Sequence, residues 1–166
     1  MGNNTSQDPT NENSYYRPRT PQQLCLQAAR EGNVEYLKKH CITPTTSVVV
    51  GAIYWPKWSC NCVIMAAMNE RLEVLQFFET KKILWSSCDS YGGNALHYAC
   101  AYNKYRECIE YLLERMNKSC KNKLNMYNRT PLDRLIIENH TCVNKKSIET
   151  MMRQRGCKRG CEMNMR

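Results

Sequence analysis

No apolar run in this 166-residue chain approaches the roughly 20 residues that span a bilayer. The first twenty residues lack the apolar stretch of a secretory signal, so export is not expected. Gly92-Gly93 stands without the further spaced glycines of a phosphate-cradling loop. A nucleophile elbow is missing too. Of the three histidines, His40 ends a helical stretch and His140 sits in a polar loop. His97 belongs to a recurring structural motif. None is placed as the base of a catalytic pair. These absences exclude a chain with membrane-spanning helices and argue against an enzyme. No cofactor and no small-molecule substrate is expected.

Metal ligation is poorly supplied, although eleven cysteines is a high and odd count. Cys60-Asn61-Cys62 and Cys157-Lys158-Arg159-Gly160-Cys161 each form a pair. A structural zinc site needs four ligands, and neither pair has a second pair at a usual spacing. No metal is assigned, with Cys157 and Cys161 the better pair. Without an export signal the thiols read as reduced, acting as small buried hydrophobes in a cytosolic protein.

The two ends differ from the middle. Residues 1–19 are rich in Asn, Ser, Thr, Gln and Pro and nearly devoid of aliphatic residues, which predicts a disordered arm. It opens Met1-Gly2-Asn3-Asn4-Thr5-Ser6, the pattern of N-myristoylation at Gly2. One acyl chain binds a membrane only marginally and needs a second signal. The formal charge of +9 is concentrated toward the other end, where residues 145–166 hold seven basic residues against two acidic ones. That run is either a solvated tail or a contact for an anionic membrane or an acidic protein surface.

Between the ends one layout returns. Thr20-Pro21 places a cap before a first-turn proline. Ala28-Ala29 comes next, then a polar turn ending in Gly32, then Val34-Glu35-Tyr36-Leu37. Ala66-Ala67 repeats this 38 residues later, and Ala99-Cys100 another 33 on. Asp89-Ser90-Tyr91-Gly92-Gly93-Asn94-Ala95-Leu96-His97 has a counterpart ending in Thr130-Pro131-Leu132-Asp133, with Asn128 where Gly92 stood. Gly, and less readily Asn, takes the left-handed conformation that such a turn needs. Ile148, Met151 and Met152 give the stripe of a closing helix.

This recurrence resembles the ankyrin repeat, most specifically in the third and fourth copies. The resemblance implies an all-α solenoid of about four helix-turn-helix repeats with hairpin-loop connections, at 20–41, 58–83, 89–121 and 125–154. The chain divides into an arm at 1–19, a repeat domain at 20–154 and a basic, Cys-containing tail at 155–166. Cys62-Val63-Ile64 departs from the family's Pro-Leu-His, Glu70 stands where Gly is usual, and the third copy has about one extra residue near Lys104.

The resemblance also implies a non-catalytic module that binds a protein through hairpin loops and first helices. The candidate contact residues are Trp55, Trp58, Tyr91, Met126, Tyr127 and Arg129. The connection at residues 43–58 is long, β-branched and aromatic, and either covers the first helix pair or forms an exposed finger. Tyr102, Lys104, Tyr105 and Arg106 mix basic and aromatic side chains as nucleic-acid surfaces do. They fall in an inter-helix turn, so no nucleic acid is expected. A short, nearly bare array of this composition is similar to virus-encoded ankyrin proteins that mimic inhibitors of NF-κB, whose partners are signalling or transcription factors. The competing reading is a cytoplasmic scaffold held at a membrane by Gly2 acylation and the basic tail.

Overall fold

The computed structural model describes residues 20–41, 43–46, 48–49, 59–81 and 83–163. Gly2, Trp55 and Trp58 lie outside the described residues. Four helix pairs succeed one another: α1 (Pro21–Glu31) with α2 (Val34–His40), α3 (Cys62–Met68) with α4 (Leu72–Glu79), α5 (Ala95–Tyr102) with α6 (Glu107–Arg115), and α8 (Pro131–Ile137) with α9 (Lys145–Gln154). Two short helical turns, α7 (Lys118–Lys121) and α10 (Gly160–Met163), were not expected. Two strands, β1 (Val48–Val49) and β2 (Ser59–Cys60), pair antiparallel at the root of the long connection, with Val48 opposite Cys60.

Each first helix starts at a polar cap. Thr20, Asn61, Asn94 and Thr130 accept a backbone N–H three residues on. α1 packs on α3, α3 on α5 and α5 on α8, while α2, α4 and α6 pack in turn on the outside. Ala29, Ala67 and Cys100 are fully buried, and their small side chains allow that close approach. Leu37, Leu75, Phe78, Ile109, Leu112 and Ile148 close the core from the second helices, and Leu96 and Leu132 from the first.

The hairpin loops of the third and fourth repeats are built alike. Asp89 Oδ1 accepts the amides of Tyr91 and Gly93, at 2.9 and 2.8 Å. Asn125 Oδ1 accepts those of Tyr127 and Arg129, both at 3.0 Å. Gly92 and Asn128 sit at φ +73° and +55°, so Asn takes the place of Gly. The loops join directly, the Met126 amide donating to the Tyr91 carbonyl at 2.9 Å. His97 Nδ1 accepts the Asn94 amide at 3.2 Å, and its Nε2–H donates to the Arg129 carbonyl of the next loop at 3.1 Å.

The opposite edge has its own ties. Arg71 Nε donates to the Arg30 carbonyl at 2.8 Å. Glu70 adopts φ +57°, in the left-handed region that favours glycine, and its carboxylate accepts the amides of Lys104 and Tyr105 in the next repeat. The third repeat's extra residue removes the need for such a cap, because Asn103 ends α5 in extended conformation. Asn139 Nδ2 donates to the Cys100 and Asn103 carbonyls at 2.9 and 2.8 Å.

Beyond α9 the chain packs back on the array through residue 163, rather than running out as a solvated tail. Gly156 turns left-handed at φ +82° and Cys157 is buried. Asn122 holds the turn, donating to the Gly156 carbonyl at 3.0 Å and accepting the Lys158 amide at 2.6 Å. The Gly160 amide and Arg159 Nε then donate to Asp133, at 2.8 and 2.9 Å. Burial alone would raise the Asp133 carboxyl, but these donors and Thr130 hold it below its ordinary value. Asp133 stands where the third repeat has His97, so the returning segment occupies the place of a fifth loop. A Cβ on Gly160 would lie 2.8 Å from the Asn128 carbonyl, which is why glycine fits there.

Leu96 is fully buried at the middle of the stack. Its replacement by Ala is expected to cost about 2–5 kcal/mol and to broaden unfolding, because neighbouring repeats share the interface. Urea denaturation followed by circular dichroism measures this, and an unchanged midpoint would refute it.

Burial holds the His97 imidazole at about 4, although its bond to the Arg129 carbonyl pulls the other way. The fold therefore favours the neutral ring. Unfolded histidine titrates near 6.5, so this contribution is complete above that pH and is lost as pH falls toward 4. The loss amounts to roughly 3 kcal/mol. His97→Asn should flatten the stability slope between pH 6.5 and 4.5. Denaturant titrations at stepped pH check this, and equal slopes in both proteins would contradict it.

Candidate protein-binding surface

The loop tips of the third and fourth repeats place side chains in solvent on a fixed backbone. Met126 and Tyr127 are 60% and 54% exposed, and Tyr91 is half-buried. The rings of Tyr91 and Tyr127 stack at 6.4 Å between centroids and 18° between planes. Three of the six expected contact residues are thus brought together. The fourth, Arg129, turns back: its guanidinium lies 2.7 Å from Glu138, and its carbonyl receives His97. Its charge is already paired, so it is less a free contact than a brace for the loop.

The first helices bring together side chains that the sequence alone did not join. Tyr98 and Tyr102 stack one turn apart on α5, at 6.2 Å. Arg134 on α8 lies over both rings, at 4.9 and 5.6 Å from their centroids. Burial alone would lower the Arg134 pKa, but the pairing with Glu138 and the tyrosines raises it instead. Glu138 accepts from Arg134 at 2.8 Å and from Arg129, and these two cations keep its carboxyl below the ordinary range against the effect of burial. A continuous path thus runs from Tyr102, 51% exposed, through Arg134 and Glu138 to the Arg129 loop. The signal was legible in principle, since Tyr98/Tyr102 and Arg134/Glu138 occupy the same four-residue spacing 36 residues apart.

The remaining candidates are held inside the fold or stand apart from the loop tips. Lys104 and Tyr105 form the α5–α6 turn on Glu70, and Arg106 pairs with Glu110 at 3.0 Å. Cys60 and Cys62 are buried, and Cys60 Sγ donates to the Asn61 carbonyl at 3.3 Å. Cys157 is buried while Cys161 is exposed. Among the described residues, no three His, Cys, Asp or Glu side chains are arranged to hold a metal ion. No helix among them is long and apolar enough to cross a membrane.

Of the six basic residues between 145 and 159, four have partners within the fold. Lys145 donates to the Ile136 and Asn139 carbonyls, Arg153 pairs with Glu149 and Glu162, Arg155 with Glu110, and Arg159 with Asp133.

No curated protein matches the chain. A family model for ankyrin repeats, in three copies, matches residues 25–126 and 63–145. Those spans cover most of the chain, running from within α1 to the start of α9 and taking in the paired loops. The chain belongs to the ankyrin-repeat family.

Proposed function

We propose that this protein is a non-catalytic interaction module whose partner protein lies across the loop tips and first helices of the third and fourth repeats. Ankyrin repeats are in general protein-interaction modules. The observation that carries the reading is the loop-tip cluster of exposed Met126 and Tyr127 with half-buried Tyr91, held by the Met126–Tyr91 backbone bond and by the His97 bond to Arg129. Tyrosine rings have few rotatable bonds to order on binding, and aromatic and methionine side chains are enriched in the cores of interfaces. Trp55 and Trp58 belong to the same proposal as anchors on the long connection. A finer reading makes the chain a virus-encoded modulator of host signalling whose partner is a signalling or transcription factor. It rests on architecture alone, a short and nearly bare repeat array.

The test is affinity capture with the wild-type chain and with Met126→Ser/Tyr127→Ser. Both side chains are exposed, so helical content should not change. A partner retained by the wild type should bind the variant roughly 30-fold more weakly, about 2 kcal/mol for the loss of central anchors. Equal retention of every partner would remove the loop tips from the interface.

The scaffold reading, in which Gly2 acylation and the basic residues hold the chain at an anionic membrane, draws less support. Four of the six basic side chains that would supply the second signal are engaged within the fold. It expects membrane association of the wild type and its loss in Gly2→Ala. Fractionation of cells fed labelled myristate decides, and a wild-type chain without label in the soluble fraction ends this reading.

A further inference from the structure

Four lysines gather around one buried side chain, that of Asn122 at the end of α7. Its Nδ2 donates to the Lys118 carbonyl at 3.1 Å and to the Gly156 carbonyl at 3.0 Å, and its Oδ1 accepts the Lys158 amide at 2.6 Å. Lys121 and Lys123 flank Asn122 in the chain. Lys118, Lys123 and Lys158 are exposed, and Lys121 is half-buried. Among the described residues none of the four is ion-paired with a carboxylate. Asp133 and Glu162, the carboxylates bonded to the returning segment, already carry Arg159 and Arg153.

The backbone that carries these lysines is anchored on both sides. In α7, Cys120 is buried, its amide donates to Asn117 Oδ1 at 2.9 Å, and its carbonyl accepts Asn94 Nδ2 at 2.9 Å. In the returning segment, Cys157 is buried and its amide donates to the Met152 carbonyl at 3.0 Å. The two segments therefore cannot move apart to relieve the repulsion between their charges. Like charges held together raise the local potential and favour an anionic partner.

The cluster adjoins the loop tips. Leu124, 40% exposed, comes directly after Lys123 and opens the loop that carries Met126 and Tyr127. A Cβ on Gly160 would lie 3.3 Å from Leu124 Cδ2, so this side chain also borders the returning segment that bears Lys158.

We propose that Lys118, Lys121, Lys123 and Lys158 form a docking patch for an acidic segment of the partner protein, beside the loop-tip surface and resting on the protein-binding reading given above. The segment that fits carries several Asp or Glu residues next to an apolar one. Its carboxylates meet the ammonium groups, and its apolar side chain covers Leu124 as the chain passes toward Met126. Charge complementarity of this kind steers the encounter and selects the partner more than it adds affinity. Continuity with the loop tips favours a protein segment over an anionic membrane or a nucleic acid.

The probe is a fluorescent peptide in which Leu is flanked by runs of Glu, titrated with the full-length chain at low ionic strength and followed by anisotropy. Binding is expected to weaken steeply with added salt and to be absent when every Glu is Gln. Lys118→Gln/Lys123→Gln/Lys158→Gln should weaken it roughly tenfold, as the loss of three exposed ion pairs would. Lys39→Gln/Lys81→Gln/Lys146→Gln removes the same charge from exposed lysines elsewhere and should leave it unchanged. Equal weakening in the two triple variants would reduce the effect to net charge and overturn the proposal, as would a wild-type chain that does not bind. Tighter binding to phosphatidylserine vesicles or to duplex DNA than to the peptide, lost in the Lys118/Lys123/Lys158 variant, would give the patch to another class of polyanion and overturn it too. None of these outcomes alters what capture with Met126→Ser/Tyr127→Ser shows, so the loop tips are tested separately.

Discussion

Small side chains at Ala29, Ala67 and Cys100 let successive first helices lie side by side with nothing between them. The rest of the structure depends on that contact. A pair of helices seven to eleven residues long, such as α1 with α2 or α3 with α4, is marginal in isolation and cannot bury its apolar face alone. Stacking supplies the missing surface, and each repeat is then as stable as its neighbours make it.

Close stacking brings polar backbone along both edges of the array, and side chains from adjacent repeats satisfy it. His97 reaches the Arg129 carbonyl on the loop edge. Arg71, Glu70 and Asn139 do the same on the turn edge. Glu70 shows how one such bond offsets a cost. A non-glycine residue in the left-handed region is strained by roughly 1–2 kcal/mol. Two amide bonds to its carboxylate, each charge-assisted, are of comparable size. Glycine would remove the strain but also the tie to the third repeat.

The array stops at the C-terminal end because the chain returns on itself. Asp133 takes the Gly160 amide and Arg159, where another loop would otherwise stack. This return also uses up much of the basic charge that composition suggested was free. The proposed partner surface is therefore defined more by exposed Met126, Tyr127 and Tyr102, with half-buried Tyr91, than by charge.

The repeat itself was legible without coordinates. Caps at Thr20, Asn94 and Thr130, small residues at Ala28–Ala29 and Ala66–Ala67, and the left-handed positions Gly32, Gly92 and Asn128 are local requirements. Local requirements leave local residue patterns. Local periodicity also marked the stripe of Ile148, Met151 and Met152 on the closing helix. Only the tertiary structure decided which side chains meet across repeats. Arg134 lies over Tyr98 and Tyr102 because α8 stacks on α5, and Arg129 is paired because Glu138 faces it. Residues 155–163 pack against the fourth repeat because Asn122 and Asp133, distant in sequence, offer the partners.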